Sequence, residues 1–272
     1  VLVLDSNRPR NSATFRSHGF LSRDGISPLE LRRLGREELE AYPNASVERA
    51  EVRAVTPLPE PRPLPEALPL PEALEGRFTI DNEYTTTAVV IATGLREQQP
   101  ALPSLRQFYG TSIHSCMECD GYEYSDRPIA LIGESNDLAA RALLLSQWSR
   151  DLVVFTNGVG VVSEGDEARL GELGIRVDRR LVADVAGDRD GVTGVVLADG
   201  ETIPRVGVFV RPQYTPALDY IEPLGVARDS DDLIVVDAVG RTSVEGVYAI
   251  GYCTPPGPQQ LIAAAGQGGI VA

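Results

Sequence analysis

Two cysteines separated by two residues are the part of this sequence best suited to chemistry. Cys116 and Cys119 are followed at once by Asp120, and an apolar run that ends at Gly133 comes soon after. Two thiols at this spacing, next to a carboxylate and ahead of a strand that ends in glycine, indicate a redox-active dithiol beside a dinucleotide-type fold. We therefore predict thiol–disulfide chemistry at this pair.

A zinc site is the main structural alternative for the cysteine pair. His114, Cys116, Cys119 and the distant His18 would make four ligands. Closed structural zinc sites usually use two compact ligand pairs, whereas His18 stands alone. We therefore favour redox chemistry over zinc binding, and also over two buried and inert cysteines.

The composition limits the partners that the protein can have. The 272 residues carry a formal net charge of -14 and are 43% hydrophobic. This length can bury the cores of one large or two ordinary domains, and the negative charge repels nucleic acid and anionic membranes. No segment approaches the ~20 apolar residues of a membrane span, and no signal sequence opens the chain. We expect a cytoplasmic protein whose partner is a small molecule or another protein.

The residues after the cysteine motif predict a largely parallel sheet. Apolar runs alternate with segments of helical periodicity, and a short antiparallel excursion surrounds Asp199 and Gly200. This βαβ succession is typical of α/β folds. We predict strands at 129–132, 152–155, 175–177 and 206–210, and helices at 136–148 and 164–172.

The flanking segments predict further elements and one insertion. Residues 57–75 repeat Pro-Leu-Pro-Glu, and proline removes backbone donors and favours extended, solvated chain. We predict a surface insertion there, with partner binding as a lesser alternative. The other expected elements are a helix at 28–42, strands at 47–55, 77–80, 86–91, 233–236 and 247–250, and a helix from residue 260 onward.

The chain opens on an apolar run that ends at Asp5. In a dinucleotide-binding unit, an acid at the end of the second strand binds ribose hydroxyls, and the first strand and the glycine loop precede it by about thirty residues. Those elements are absent here, and the sequence stops inside the helix that begins near Gln260. We therefore expect a fragment at both ends that lacks the N-terminal glycine-rich motif.

Short motifs recur in order along nearly the whole chain. They are Ala92-Thr93-Gly94, Cys116-x-x-Cys119-Asp120-Gly121, Ile132-Gly133, Gly246-Val-Tyr-Ala-x-Gly251 and Gln260-x-x-x-Ala-Ala-Gly-Gln-Gly. This arrangement resembles the low-molecular-weight thioredoxin reductase family. The segment His18–Gly25 and the turn Phe155–Gly158 resemble the thioredoxin-reductase-like branch, which includes dithiol oxidases.

The resemblance implies an α/β protein of two Rossmann-like, three-layer domains. A discontinuous FAD-type domain would comprise residues 1–112 and 243–272, and an NAD(P)-type domain with the cysteine pair would be inserted at 113–242. FAD would be the cofactor, NAD(P)H a second one, and a homodimer the assembly. The residues implied to contact FAD are Asp5, Thr93, Gly94, Gly251, Tyr252, Gln259 and Gln260, and those implied to contact NAD(P) are Gly133 and Ser135.

The resemblance also implies roles for the redox residues. Cys119 would be the thiolate next to the flavin, and Asp120 would be the acid/base. Cys116 would be the thiol that meets a thioredoxin-like protein or a small dithiol or disulfide substrate. An ordinary thiol has a pKa of about 8.5, so a nearby group must move its proton, and a partly buried carboxylate can do so. Glu118 would disfavour the thiolate by its charge, and we expect it to point to solvent.

Departures from the family pattern bear on both cofactors. Tyr252 stands where the family's carboxylate would hold FAD, and loss of such a charge-assisted hydrogen bond costs about 1.5–3 kcal/mol. In the loop after Gly133, Ser135 replaces a glycine and Leu138 is bulky where a small residue would pack. Thr156-Asn157-Gly158 replaces the arginine cluster that would hold the 2′-phosphate of NADPH. These changes weaken FAD binding and argue against NADPH.

Two classes of function remain. In the first, the protein is an FAD-dependent thiol–disulfide oxidoreductase that passes electrons between flavin and the dithiol, with NAD(P)H or oxygen at the other end. In the second, it is a degenerate, non-catalytic relative that acts as a binding scaffold, with the proline-rich insertion as its contact. We favour the first class.

Overall fold

The chain folds as two compact units. The structure, a computed structural model, describes residues 1–62, 76–255 and 260–272. We call residues 11–34 and 97–213 the central unit, and residues 1–10, 35–96 and 214–272 the terminal unit. The boundaries differ from those of the predicted domains, because residues 11–34 and 97–112 group with the cysteine pair and residues 214–242 group with the chain ends.

The strands and helices of the described residues are short. The strands, in chain order, are β1 (Leu2–Leu4), β2 (Ser46–Glu48), β3 (Val55–Arg62), β4 (Gly76–Ile80), β5 (Tyr84–Thr86), β6 (Val89–Ile91), β7 (Leu95–Gln98), β8 (Ile113–His114), β9 (Ile129–Ile132), β10 (Leu152–Phe155), β11 (Arg176–Asp178), β12 (Val182–Asp188), β13 (Gly191–Leu197), β14 (Thr202–Pro204), β15 (Gly207–Val210), β16 (Gln213–Pro216) and β17 (Val247–Ala249). The α-helices are α1 (Pro28–Glu40), α2 (Leu105–Phe108), α3 (Met117–Asp120), α4 (Leu138–Leu145), α5 (Glu164–Glu172) and α6 (Leu261–Val271). Within these ranges no helix has the length and apolar character that a bilayer crossing requires.

The central unit is built on a parallel sheet with the strand order β11-β10-β9-β15-β8. Strands β9, β10 and β15 are buried at every position, which explains why they read as unbroken apolar runs in the sequence. Their side chains alternate between two apolar clusters: Ala130 and Ile132 belong to one, and Ile129 and Leu131 to the other. Because successive side chains of a strand point to opposite faces, both faces of the sheet carry a core.

The carboxyl edge of this sheet positions both candidate motifs. An antiparallel sheet, β12-β13-β14, covers one of the two clusters. Strand β9 lies between β10 and β15, so the chain changes direction across the sheet at this point, where α/β folds bind ligands. Gly133 follows β9 and Arg211 follows β15, while β8 leads directly into Ser115 and Cys116.

The described residues of the terminal unit include three small sheets. Strands β1 and β2 form one parallel pair, β17 and β6 form another, and β3, β4 and β5 form an antiparallel sheet. Thr93 and Gly94 follow β6, and Gly251 and Tyr252 follow β17. Its apolar core comprises Val55, Phe78, Ile91, Leu218, Ile221, Leu224, Val226, Ile234, Val247, Ala249 and Cys253.

The predicted strand 47–55 is wrong, because the chain leaves the sheet after β2 and enters another at β3. In between, the carboxylate of Asp81 accepts the N–H groups of Arg53 and Ala54 at 3.0 and 2.7 Å. A side chain therefore takes the hydrogen bonds that a strand would have needed.

The predicted strand 233–236 is also wrong. Ile234 makes an isolated bridge with Arg228, and the carboxylate of Asp229 accepts the N–H of Leu233 at 2.9 Å. This segment is a loop shaped by an aspartate turn.

Three other predictions need smaller corrections. The predicted strand 86–91 is interrupted because the hydroxyl of Thr86 donates to the carbonyl of Ala88 at 2.9 Å. Of the predicted proline-rich insertion, residues 57–62 belong instead to β3, and residues 63–75 lie outside the described residues. The helices predicted at 28–42 and 136–148 are shorter in the structure, where they are α1 (Pro28–Glu40) and α4 (Leu138–Leu145).

Candidate active site

Cys116 and Cys119 are joined by a disulfide, with their Cα atoms 5.3 Å apart. Cys116 is the extended N-cap residue of α3, and its sulfur accepts the N–H of Cys119 at 3.1 Å. Both residues are half-buried, whereas Glu118 between them is exposed, as expected. The turn that α3 makes after β8 thus places both sulfurs together at the sheet edge.

Asp120 ends α3 and is only 6% exposed. Its Oδ1 atom lies 3.1 Å from Nδ1 of His114, and the other ring nitrogen of His114 lies 3.1 Å from the hydroxyl of Tyr124. That hydroxyl donates to the carbonyl of Thr111 at 3.0 Å. Burial raises the pKa of Tyr124 to about 12, so the hydroxyl stays protonated at neutral pH. The candidate acid/base therefore has a buried imidazole as its neighbour.

A second histidine also belongs to the central unit. Nδ1 of His18 lies 3.0 Å from Asp24 and Nε2 lies 3.4 Å from Glu123, which also pairs with Arg16 at 3.0 Å. The ring of His18 faces that of Tyr122 with centroids 5.6 Å apart. Sequence reasoning missed this cluster, because His18 and Glu123 are 105 residues apart and nothing in the local spacing connects them.

The four residues of the zinc alternative all have other partners. Cys116 and Cys119 are bonded to each other, and the nitrogens of His114 and His18 face carboxylates and a hydroxyl. Across the described ranges, no group of three or more histidine, cysteine or acidic residues has the arrangement of a metal site.

The loop after Gly133 is filled by the protein's own side chains. A Cβ on Gly133 would lie 2.8 Å from atoms of both Arg211 and Leu138, and one on Gly160 would lie 2.6 Å from Leu138. Leu138 is fully buried. Leu138, the bulky residue of this loop in the sequence, therefore fills the space next to Gly133 and Gly160.

A carboxylate stands at the start of α4, where a dinucleotide would place its pyrophosphate. Asp137 precedes α4, pairs with Arg211 at 2.9 Å and Arg141 at 3.7 Å, and accepts a hydrogen bond from the hydroxyl of Ser135. Burial raises the pKa of Asp137, but Ser135, Arg211 and Arg141 outweigh it and lower the pKa, so the group stays charged. A helix N-terminus binds phosphate through free N–H groups and positive potential. Here the residue that precedes the helix is a carboxylate, and it holds Arg211 and Arg141 in ion pairs. A dinucleotide pyrophosphate would have to displace Asp137 from these arginines.

The turn after β10 does not offer a site for a 2′-phosphate either. Asn157 has a left-handed backbone with a φ of 49°, donates to the carboxylate of Glu134 at 2.6 Å and accepts the N–H of Val182 at 2.8 Å. Its side chain thus holds the turn together. Glu134 adds negative charge where NADPH would need a cation.

The terminal unit contains the residues implied to contact FAD. The carboxylate of Asp5 accepts the N–H of Asn7 at 2.8 Å and pairs with Arg36 at 2.7 Å. The hydroxyl of Thr93 lies 3.2 Å from that of Tyr220.

The ends of β6 and β17 bring the next predicted residues together. Gly94 and Gly251 have left-handed backbones with φ of 63° and 74°, and a Cβ on Gly94 would contact Tyr252 at 3.9 Å. The N–H of Gly251 donates to Gln267 at 2.7 Å. Gln260 is the extended N-cap residue of α6, and a helix start favours negative charge. Gln259 lies outside the described residues.

Tyr252 is the position that fits FAD least well. The guanidinium of Arg10 lies 5.1 Å from the centroid of its ring and 5.0 Å from that of Tyr214, a cation–π arrangement. Asp5, the glycine turns and the start of α6 fit a flavin nucleotide, whereas at residue 252 the chain offers an aromatic ring instead of a carboxylate.

Comparison with known proteins agrees with this geometry. The family model described as pyridine nucleotide-disulphide oxidoreductase matches residues 72–268. The thioredoxin reductase of Escherichia coli O157:H7 is 31% identical over 211 residues, which are 71% of this chain and 65% of that enzyme. The chain thus spans about two thirds of the length of this curated relative.

Solved structures give the same result for the fold. The structure of HlmI is 34% identical, with a TM-score of 0.87 over 99% of this chain and 81% of that one. The structure of an oxidoreductase from Agrobacterium tumefaciens is 29% identical, with a TM-score of 0.82 over 99% of this chain and 86% of that one. The prediction of a Rossmann-type α/β fold is confirmed, and the chain belongs to the thioredoxin reductase-like pyridine nucleotide-disulfide oxidoreductases.

Proposed function

We propose that the protein is an FAD-dependent thiol–disulfide oxidoreductase that works through Cys116 and Cys119. The observation that carries this proposal is the disulfide between these residues, half-buried at the edge of the sheet, with the buried carboxylate of Asp120 next to it. A dithiol needs a nucleophilic sulfur and a group that moves its proton, and both are within one turn of chain.

Each residue of the motif has one proposed role. Cys116 exchanges disulfide bonds with the substrate, Cys119 is the sulfur that faces the cofactor, and Asp120 gives or takes a proton. FAD, when bound, supplies the two-electron redox chemistry. Asp5 and the segments around Gly94 and Gly251 are the groups of this chain that would hold it.

The proposed substrate is a thioredoxin-like protein or a small dithiol or disulfide. The name of the Escherichia coli relative, thioredoxin reductase, supports this class of partner. Assembly as a homodimer and a cytoplasmic location are parts of the same proposal and rest on the family resemblance.

The other end of the electron path is proposed to be oxygen and not NAD(P)H. Asp137 holds Arg211 and Arg141 in ion pairs at the start of α4, and Leu138 fills the space beneath Gly133. Both features oppose a nicotinamide dinucleotide at the usual place in this fold. The favoured direction of reaction is therefore oxidation of a dithiol.

The test is to express the full-length gene product, reconstitute it with FAD and record the flavin spectrum. Dithiothreitol and NADPH are then added separately without oxygen. We expect bleaching by dithiothreitol alone and recovery of the spectrum when oxygen is admitted. Rapid bleaching by NADPH would instead support a reductase. A colourless protein that cannot be reconstituted would contradict the enzyme proposal and favour the scaffold alternative.

A further inference from the structure

Arg10 places a positive charge between two aromatic rings of the terminal unit. Its guanidinium lies 5.0 Å from the ring centroid of Tyr214 and 5.1 Å from that of Tyr252. All three residues belong to the terminal unit, but they come from its first segment, from β16 and from the turn after β17. Distant parts of the sequence therefore come together around one cation.

The charge of Arg10 is not balanced by a carboxylate. In the part of the chain that the structure describes, its side chain forms no ion pair and no hydrogen bond, and the two rings are its partners. Other arginines of the same unit do pair with acids: Arg8 with Glu51 at 3.6 Å, and Arg36 with Asp5 at 2.7 Å. In a protein with a net charge of -14, the N–H groups of Arg10 thus remain available to an anion.

This cation lies at the edge of a sheet where α/β folds bind ligands. Strands β6 and β17 pair in parallel, and Gly94 follows the first while Gly251 and Tyr252 follow the second. A Cβ on Gly94 would lie 3.9 Å from the Cβ of Tyr252. The ring that contacts Arg10 therefore stands at the carboxyl ends of two paired parallel strands, the end at which such folds receive ligands.

The surroundings of Arg10 suit a phosphate group. An aromatic ring attracts a cation through its face and does not use up the N–H groups as a carboxylate would. A planar guanidinium can then donate two parallel hydrogen bonds to a phosphate, and a side chain that is already held loses less freedom on binding. Since the proposed dithiol chemistry belongs to the central unit, the anion expected in the terminal unit is that of the nucleotide.

We propose that Arg10, held by Tyr214 and Tyr252, is a phosphate-binding residue, and that the phosphate belongs to a flavin nucleotide. This inference rests on the proposed function, in which FAD is the cofactor. A carboxylate at residue 252 could only accept hydrogen bonds, whereas Arg10 donates them. The contact with phosphate is therefore different in kind from the one that this chain lacks at residue 252.

The test is to measure binding of FAD and of ADP, which carries the same diphosphate without the flavin. The full-length gene product is freed of flavin and titrated with FAD by fluorescence and with ADP by calorimetry. We expect Arg10→Gln to lower both affinities about 10- to 150-fold, because hydrogen bonds from a charged group are lost. The affinity of the native protein for FAD should also fall more steeply with added KCl than that of the variant.

Matched variants make this result specific. Arg8→Gln removes an exposed arginine two residues away, which pairs with Glu51, and should leave both affinities unchanged. Arg10→Lys keeps the charge but not the planar pair of donors, so its affinity should lie between those of the native protein and Arg10→Gln. Tyr214→Leu removes one ring and should lower the affinity for FAD about 2- to 5-fold, whereas Tyr214→Phe should not.

A folded Arg10→Gln protein with native affinity for FAD and ADP would overturn the inference, and so would a native protein that binds neither ligand. If Arg10→Gln does not fold, equal affinity for FAD in Tyr214→Leu and Tyr214→Phe overturns it. The proposed function is judged separately, by whether dithiothreitol bleaches the flavin. If Arg10→Gln weakens ADP but the native protein does not bind FAD, the phosphate site is supported, and its assignment to a flavin and the proposed function are both contradicted.

Discussion

His18 belongs to a cluster of opposite charges in the central unit. Burial lowers the pKa of His18, but hydrogen bonds and charges from Asp24 and Glu123 outweigh burial and raise it. The hydrogen bond from Arg16 is the main reason that the pKa of Glu123 is lowered. A histidine whose folded pKa lies above its unfolded value stabilises the fold fully below the unfolded pKa and loses this effect as the pH rises through the folded one.

The contribution of His18 to the stability of the fold should depend on pH. His18→Gln should lower the Tm of the protein most at about pH 6 and progressively less toward about pH 9, because the native histidine loses its charge over this range. Thermal unfolding of both proteins in matched buffers measures the difference. Asp24→Asn removes the charge of one carboxylate that pairs with His18, and its effect on Tm should show the same trend with pH. A difference in Tm that is independent of pH would contradict the charge assignment.

Tyr252 is the residue where the chain departs most clearly from a flavin site. Tyr252→Asp should tighten FAD binding about 10- to 150-fold, because a charge-assisted hydrogen bond is worth about 1.5–3 kcal/mol. Tyr252→Asn, which has a similar shape and no charge, should gain less. Equilibrium dialysis or the loss of flavin on dilution measures this. Equal affinity in all three proteins would mean that the neighbouring Arg10 neutralises the new carboxylate.

At the scale of elements, the packing of α4 against β9 depends on Leu138. This side chain is fully buried in the cluster that Trp148 also packs against. Leu138→Ala should lower the free energy of unfolding by about 2–5 kcal/mol, because it leaves a cavity in a packed core. Leu144→Ala, on the same helix at 43% exposure, should cost much less. Urea unfolding followed by the fluorescence of Trp148, the one tryptophan, reports on this core. Similar losses in both variants would contradict the packing.

The same elements show which parts of the fold can be predicted from the sequence. Strands β9 and β10 and helix α5 have the bounds that the sequence predicts, because buried parallel strands read as apolar runs and Ser163 caps α5. The strand predicted at 47–55 fails because Asp81, far along the chain, takes its amide hydrogens. Local patterns do not show such distant side-chain bonds.

At the scale of the whole molecule, the chain builds two units with separate tasks. The central unit carries the disulfide and Asp120, its proposed proton donor, and the terminal unit carries the residues that are proposed to contact FAD. The sequence predicts the cysteine pair and Asp120 because they are adjacent in the chain. It does not predict that residues 11–34, with His18, group with the cysteine pair, because this grouping depends on contacts between distant segments.

The structure of the loop after Gly133 is predicted in part. Leu138 and Ser135 can be recognised in the sequence as departures from the glycine-rich pattern. The ion pair between Asp137 and Arg211 cannot, because these residues come together only in the fold.

In the proposed reaction, electrons pass through the Cys116–Cys119 pair on their way to FAD. The direct measurement is the rate at which dithiothreitol bleaches the flavin without oxygen, in the native protein and in the double variant Cys116→Ser/Cys119→Ser. We expect the rate to fall about 100-fold or more in the variant, because a covalent route through sulfur is lost, while dithionite bleaches both proteins alike. Equal rates with dithiothreitol in the two proteins would contradict the claim.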